Sequence, residues 1–535
     1  MFQDDRRKKL LTLGAICFGL FMVMLDNTVV NLALPRISKE LGAGLNELQW
    51  IIDAFTLPLA ALMLTGGTIG DLFGRKRTFL TGVGIFTAAS LACALSPNIH
   101  LLIGARAVQG AGAAIMLPAT LAILTNTFTD PRERAQAIGI WAGVSGIALA
   151  VGPALGGVMV DAWNWQSIFY INVPIGVIAF VITILVVAES KNPEGRNLDI
   201  PGQILAVVGL AALTYAFIEA NSYGWRSAII ISLLAGGIMV LAAFGFWELR
   251  TRSPMLQLSF FKNMTFLGSN LVGVAVSFGF FGVILFMSLF MQQVQGFSAT
   301  GAGVRQLAAT LAVMVAAIIS GRIVAKIGAR IPITLGMLLI AGSFFAFVTV
   351  QADTPYHSYW WILTVMGIGL GLVMSPMTTA VMSTVPQARA GMASATLNTL
   401  RQVGGVFGIA VLGAIVTGSY MAKFKAALGA LHLSPFVTQQ VLQMAQQRGT
   451  PDPNQLAAAK AAGVPVDDIL RALRTTFTDG IHHGLWYAGA VVLAGAVAGA
   501  IMIRGTAPHH QLAREAKAEA AAKPKEAAPA SSIDG

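Results

Sequence analysis

Stretches of about twenty predominantly apolar residues recur along the chain, separated by short polar connections containing glycine and proline. Each is long enough for a helix to cross the ~30 Å hydrocarbon layer of a bilayer, and the runs are too long for strands. They centre at about residues 22, 59, 87, 113, 147, 179, 209, 237, 277, 313, 341, 371, 405 and 493. A membrane β-barrel needs short segments of alternating polarity, which are lacking. The pattern predicts an all-α integral membrane protein with 14 transmembrane helices.

Composition sharpens this picture. Of 535 residues, 56% are hydrophobic and 11% charged, and the mean hydropathy is +0.72, far more apolar surface than a soluble chain of this size needs to bury. The net charge of +11 raises the question of nucleic acid, but the basic residues form no patch. They alternate with the spans. Connections on the side of the N-terminus carry Arg6 to Lys9, Arg75 to Arg77, Arg132, Arg134, Lys191, Arg196, Arg250, Arg252, Lys262, Arg322, Lys326, Arg330, Arg389 and the basic tail. The short loops opposite carry only Arg36, Lys39, Arg226 and Arg305. This asymmetry places both termini in the cytoplasm, as an even number of spans requires. Membrane lipid is therefore the expected partner, with no nucleic acid. The only cysteines, Cys17 and Cys93, fall inside spans one and three, so neither a disulfide framework nor a metal cluster is expected. The first apolar run is too long for a cleaved signal and reads as a retained helix.

The connections are mostly short, so neighbouring helices should be antiparallel. Two segments break the pattern. Residues 419–480 read as a long outer loop in which Phe436 to Gln447 and Asp467 to Thr475 can form surface helices, and 505–535 reads as a disordered cytoplasmic tail. There is also an internal echo: Gly67 to Arg77 joins spans two and three, and Gly321 to Arg330 joins spans ten and eleven with the same glycine spacing. Parallel repeats of six helices are one route to alternating access. The expected organisation is a cytoplasmic N-terminus at 1–9, a six-helix half at 10–190, two inserted helices at 199–248, and a second six-helix half at 264–504.

Against this apolar background Asp26 stands out, deep in span one within Leu25-Asp26-Asn27-Thr28-Val29-Val30-Asn31. An ionisable group at that depth is costly and usually marks an ion or substrate path. Arg106 in span four is the corresponding cation; its guanidinium stays protonated and needs a partner or a water-filled cavity. Gln109 and Gly110, three and four residues on, share its helix face. Asp53 in span two sits towards the outer mouth or faces a central cavity, for which Asn31 in span one is also a candidate. Glu219, near the outer end of span seven, reads as solvated or structural. His482 and His483 are adjacent and point to different faces, an unpromising metal site. Phe278, Phe280, Phe281, Phe286, Phe290, Met287 and Met291 in span nine offer either helix packing or an apolar lining, of which Phe281 and Met287 are taken as cavity residues.

Several motifs bring the chain to a family. Gly67, Asp71, Gly74, Arg75 and Lys76 match G-x-L-x-D-x-x-G-R-[KR], with isoleucine for the leucine; Asp71 can pair with Arg75 or Arg77 or face a helix N-terminus. In the second copy Ala325 takes the place of the aspartate. Arg106, Gln109, Gly110 and Gly112 match R-x-x-Q-G-x-[GA]. Gly152, Pro153, Gly156 and Gly157 match G-P-x-x-G-G, in which small residues permit close packing and the proline bends the helix. Trp163, Trp165, Phe169, Asn172, Pro174 and Gly176 open span six, with the tryptophans expected at the outer interface. Arg389, Gly391, Asn398, Arg401, Gln402, Gly404, Gly405 and Gly408 mark span thirteen, where Arg401 either lines the cytoplasmic exit or packs. In this set the chain resembles the major facilitator superfamily, and within it the fourteen-helix drug:proton antiporters, from about residue 10 to 505.

The resemblance implies a proton-coupled exporter of amphipathic drugs or toxic metabolites in a bacterial inner membrane. Asp26 and Arg106 would be the proton-coupling pair, Gly67 to Lys76 a cytoplasmic latch stabilising the outward-facing state, and Gly152 to Gly157 the mark of an exporter. Protons are the coupling ion and no cofactor is implied. The working unit is expected to be a monomer, able to act with an outer-membrane export system. Export of one lipid, siderophore or natural product shares every motif; proton-coupled uptake is disfavoured by the Gly-Pro motif. An enzyme is not expected, since no H-E-x-x-H, G-x-S-x-G or Walker loop occurs, and Gly367 to Gly371 lies within an apolar span.

Overall fold

The computed structural model describes residues 2–191, 197–251, 253–385, 390–431, 433–447, 460 and 464–504. The expected tail at 505–535, Arg196, Arg252, Arg389, the Ala325 side chain and part of the 419–480 segment lie outside them. Among the described residues, fourteen helices are long and apolar enough to cross a membrane. They are α1 (Phe2–Leu41), α2 (Leu45–Phe73), α3 (Arg75–Ala94), α4 (Ile99–Thr127), α5 (Pro131–Ala162), α6 (Asn172–Val186, after a single turn at Ser167–Tyr170) and α7 (Ile200–Tyr223). There follow α8 (Ala228–Arg250), α9 (Met264–Leu289, ending in a π-turn to Val294), α10 (Ala299–Ile327), α11 (Arg330–Phe347), α12 (Trp360–Met382), α13 (Ala390–Ala430) and α14 (Val466–Met502).

Local chemistry sets many of the ends. Asn98, Asp199, Ser227, Asn263 and Ser298 each accept a backbone N–H in the first turn of the helix they precede, satisfying donors that the helix leaves orphaned. Gly74, at φ +115°, allows the chain to leave α2 and enter α3 without a break in direction that a side chain would resist.

Packing reveals the repeat. In the first half α2 and α3 pack on α4, α5 and α6 pack on α1, and α3 packs on α6. In the second half the same pairs recur eight helices later: α10 and α11 on α12, α13 and α14 on α9, and α11 on α14. The halves meet through α5 with α10 and through α2 with α13, which are again partners under that offset. The fold is thus two six-helix halves in parallel repeat with two helices inserted. Of these, α7 lies over the seam between α2 and α13, whereas α8 packs on α7 and presents most of its surface outward. Polar bonds fix α7 there. Trp50 and Asn46 of α2 donate to the Glu219 carboxylate at 3.0 and 3.2 Å, and Asn221 donates to the Ala414 carbonyl of α13 at 2.7 Å. Glu219 is therefore structural, one of the two readings its position allowed.

Two expectations are corrected. The 419–480 segment is not loop throughout, because α13 runs on to Ala430 and α14 begins at Val466. Tyr420 stacks on Phe424 and meets Phe477 edge-on, so an aromatic cluster holds the two helices together beyond the expected ends, and the Ala- and Lys-rich stretch 422–430 favours helix. A separate helix, Pro435–Gln447, lies in the shortened connection. The two tryptophans also part ways. Trp163 is exposed, but Trp165 is fully buried, edge-on to Phe169, because positions two apart in a turn cannot face the same way.

Candidate functional site

Asp26 is fully buried at the meeting of α1, α3, α4 and α6. One carboxylate oxygen takes the Arg106 Nη1 ion pair. The other accepts from Gln109 Nε2 at 3.0 Å and Asn172 Nδ2 at 3.3 Å. Arg106 also donates through Nη1 to Gln109 Oε1 at 2.7 Å and through Nε to the Ile51 carbonyl at 3.0 Å. Its plane lies over Phe55, 4.3 Å from the ring centroid. Gln109 Nε2 also donates to Ser90 Oγ at 2.8 Å, which in turn donates to the Phe86 carbonyl. Both charges are thus paired, hydrogen-bonded and almost wholly screened from solvent. Such a pair contributes little to stability because desolvation offsets its Coulomb energy, yet losing one member costs about 3–5 kcal/mol.

The glycine motifs serve this cluster. A Cβ on Gly110 would collide with the Phe55 carbonyl, so glycine lets α4 approach α2 until Arg106 reaches Ile51 and Phe55. On α5, Gly152 and Gly156 face Thr28 and Val29 of α1, within one turn of Asp26. Gly157 faces Ala299 and Thr300 of α10, and Gly303 of α10 faces Pro153. The G-P-x-x-G-G segment is therefore wedged between the acid-bearing helix and the opposite half.

That wedge belongs to a closure on the side away from the N-terminus. Asp161, at the end of α5, accepts the backbone N–H of Thr300 at 2.7 Å and of Ala299 at 3.3 Å, capping α10 across the seam. Ser288 of α9 donates to the Asn31 carbonyl at 2.6 Å, and Thr310 of α10 to the Ala150 carbonyl at 3.3 Å. These bonds between the halves all lie at mid-span or towards this far side. The halves are held together there.

The other predicted cavity residues are distributed. Gln109 belongs to the ion-pair cluster rather than to an open wall. Asp53 is fully buried, accepts from Thr56 Oγ1 at 3.2 Å and has one oxygen without a partner. It lies one turn from Gln49, which packs on Gly413, and so faces the α2–α13 seam, away from Arg106. Asn31 sits at the α1–α9 seam with its side-chain oxygen unpartnered. Phe281 packs edge-on to Phe280 and over Gly405. Met287 lines a small apolar cavity of about 10 Å³ with Phe286, Leu412, Val416 and Leu485, inside the second half and too small for cargo.

At the near-side loop Asp71 pairs with Arg75, at 3.1 and 2.9 Å. Arg77 instead faces Glu189, 3.8 Å away, whose carboxylate also accepts the N–H groups of Lys76 and Arg77. Lys76 Nζ reaches the Ile184 carbonyl at 2.8 Å. A Cβ on Gly67 would touch only Pro118 of α4. All these bonds stay within the first half. His482 Nε2 donates to the Val350 carbonyl at 2.8 Å and is buried, while His483 bonds Ser419 and its own helix, so the two do face apart. Ser90, Asp161 and Glu189 were not singled out by sequence, and Asn172 only as part of a motif; each acts on a helix to which it does not belong.

The family model described as Major Facilitator Superfamily matches residues 16–409. The chain is 37% identical over 414 residues to the multidrug resistance protein Stp of Mycobacterium tuberculosis, covering 77% of this chain and 76% of that protein. It is 31% identical over 509 residues to the tetracenomycin C resistance and export protein of Streptomyces glaucescens, covering 94% and 93%. It is 33% identical over 493 residues to the drug efflux pump JefA of M. tuberculosis, covering 91% and 96%. Among solved structures, a bacterial homologue of the human lysosomal transporter Spinster, in an inward-facing and unoccupied conformation, shares the fold at a TM-score of 0.61 and 16% identity, covering 93% of this chain and 98% of that one.

Proposed function

The chain belongs to the Major Facilitator Superfamily, and we propose that it is a proton-coupled secondary transporter that exports amphipathic drugs or toxic metabolites by alternating access. The carrying observation is the buried Asp26–Arg106 pair beside a closed far side. The names of the relatives, multidrug resistance and drug efflux proteins, support the direction and the class of cargo.

In this reading the closed far side is the outer one, and cargo enters from the cytoplasm while Asp26 is paired with Arg106. When the halves rock and the outer side opens, cargo leaves and a proton reaches Asp26. Protonation removes the buried negative charge, loosens the hold of Arg106 and Gln109, and favours return to the inward-facing state, where the proton departs. Exchange of one proton for a neutral cargo moves one charge inward, worth about 2.3 kcal/mol per 100 mV. We place the protein in a bacterial cytoplasmic membrane as a multi-pass monomer without a cofactor, able to hand cargo to an outer-membrane export system where one exists. A second reading, export of one natural product, is favoured by the likeness to the tetracenomycin C exporter over nearly the whole chain.

Everted vesicles carrying the wild type should accumulate amphipathic dyes when energised and lose them on addition of a protonophore, and Asp26→Asn should abolish the accumulation. Dye accumulation that persists with the protonophore would remove proton coupling. Accumulation of a single compound from a broad panel would favour the second reading.

A further inference from the structure

One intramembrane charge has no role in this cycle. Arg401 lies on α13, eleven residues into a helix that starts at the near side, and is half-buried. Its stem crosses to α9 at Gly273, where an added Cβ would stand 3.1 Å from Arg401 Cγ. Its Nε is buried without a hydrogen-bond partner, and among the described residues Nη1 donates only to Asn398 Oδ1, at 3.5 Å. Among the described residues no carboxylate pairs with it. Asp53 faces the same α2–α13 seam but belongs to its outer part: Gln49 is level with Gly413, Asp53 is one turn inward, and Arg401 is about 18 Å inward along α13. The Asp26–Arg106 pair is neutral as a unit. An uncompensated guanidinium therefore remains at the near-side end of the seam, a costly arrangement that marks a ligand path.

Its surroundings are polar and also unsatisfied. Asn270 and Ser277 flank Gly273 on the same face of α9, at three and four residues' spacing. Both are buried, and Asn270 Oδ1 and Ser277 Oγ lack partners. Asn270 Nδ2 is already bound to the Phe266 carbonyl at 2.8 Å, which fixes the amide with its oxygen free. Asn398, one turn nearer the N-terminal side, is exposed, so the group is approachable from there.

We propose that Arg401, with Asn270 and Ser277, forms an entry subsite for the anionic oxygen group of an amphipathic cargo, a carboxylate or an acidic phenol. This rests on the export reading and narrows its substrate class. The planar fork of donors matches two oxygens of one group, and the free amide oxygen accepts from a hydroxyl beside it.

The test is binding of 9-anthracenecarboxylate and of the neutral, equally shaped 9-anthracenecarboxamide to the full chain in phosphatidylcholine nanodiscs. The wild type should prefer the acid at least tenfold. Arg401→Gln should bring the acid-to-amide ratio near one, and Arg401→Lys, which keeps the charge but not the fork, should retain part of it. Size-exclusion and thermal unfolding establish that each variant is folded, and Ser277→Ala provides a milder decrease should Arg401→Gln fail. No preference in the wild type, or an unchanged ratio in Arg401→Gln, overturns the proposal. Displacement of the acid by phosphatidylglycerol added to the nanodisc assigns the subsite to a lipid headgroup and overturns the cargo assignment. Proton-driven export with an unchanged ratio sinks the subsite alone, whereas a ratio that falls without any proton-driven export sinks the export reading alone.

Discussion

Gly157→Leu should open the far side. In the closed arrangement an added Cβ at this position would stand 2.7 Å from the Ala299 carbonyl carbon and 2.8 Å from Thr300 Cα, with the carbonyl oxygen closer still. These are backbone atoms at the capped start of α10, so they cannot swing aside as a flexible side chain would. Overpacking of this kind costs about 1–3 kcal/mol. The cost falls only on conformations in which α5 touches α10, so the ratio of far-side-open to far-side-closed molecules should rise by about 5- to 150-fold. Spin labels at Lys39 and Asp353, exposed far-side positions on opposite halves, report the change as a longer interlabel distance. Gly146→Leu on the same helix is the control, because no atom lies within 4 Å of a Cβ there. If Gly157→Leu leaves the distance distribution as in the wild type, the α5–α10 contact does not set the far-side equilibrium and the assignment of the closure is wrong.

Two further substitutions probe separate parts of the account. Arg106→Lys keeps the charge but cannot serve Asp26, Gln109 and the Ile51 carbonyl together; losing two charge-assisted bonds should lower stability by about 3–6 kcal/mol and proton-driven efflux by tenfold or more. Thermal unfolding and dye efflux measured on the same preparation check both, and wild-type behaviour in either refutes the geometry. Glu189→Ala removes the acceptor for the N–H groups of Lys76 and Arg77 at the start of α3 and should lower stability by about 1 kcal/mol. An unchanged unfolding midpoint would show that the tie between α3 and the end of α6 carries no energy.

Much of the architecture can be read from spacing. Run length alone locates every span, since a bilayer leaves few alternatives to a helix of that length, and the echo of Gly67–Arg77 in Gly321–Arg330 anticipates the repeated packing pairs. Asp26 and Arg106 are legible because charge is so rare in this interior. Their direct contact is not, because it depends on how α1 and α4 rotate about their axes. For the same reason Asn172 and Ser90 stay hidden as ligands of the cluster: neither type is unusual in a membrane helix, and each matters only through a side chain on another helix. Asp161 looks like a solvated acid until α10 is placed beside it. The misreadings have particular causes. Polarity over 419–480 suggests a loop, yet Tyr420, Phe424 and Phe477 carry the two helices past their expected ends. The interfacial reading of Trp165 ignores that its neighbour two residues back already faces outward.

The most direct measurement counts protons. Purified protein in a weakly buffered detergent solution is mixed with a dye that the vesicle assay has shown to be exported, and the pH change is followed. The account predicts that the wild type releases protons as dye binds and that Asp26→Asn binds dye with no release. Equal release from both proteins would contradict it, because the exchanged proton would then reside elsewhere.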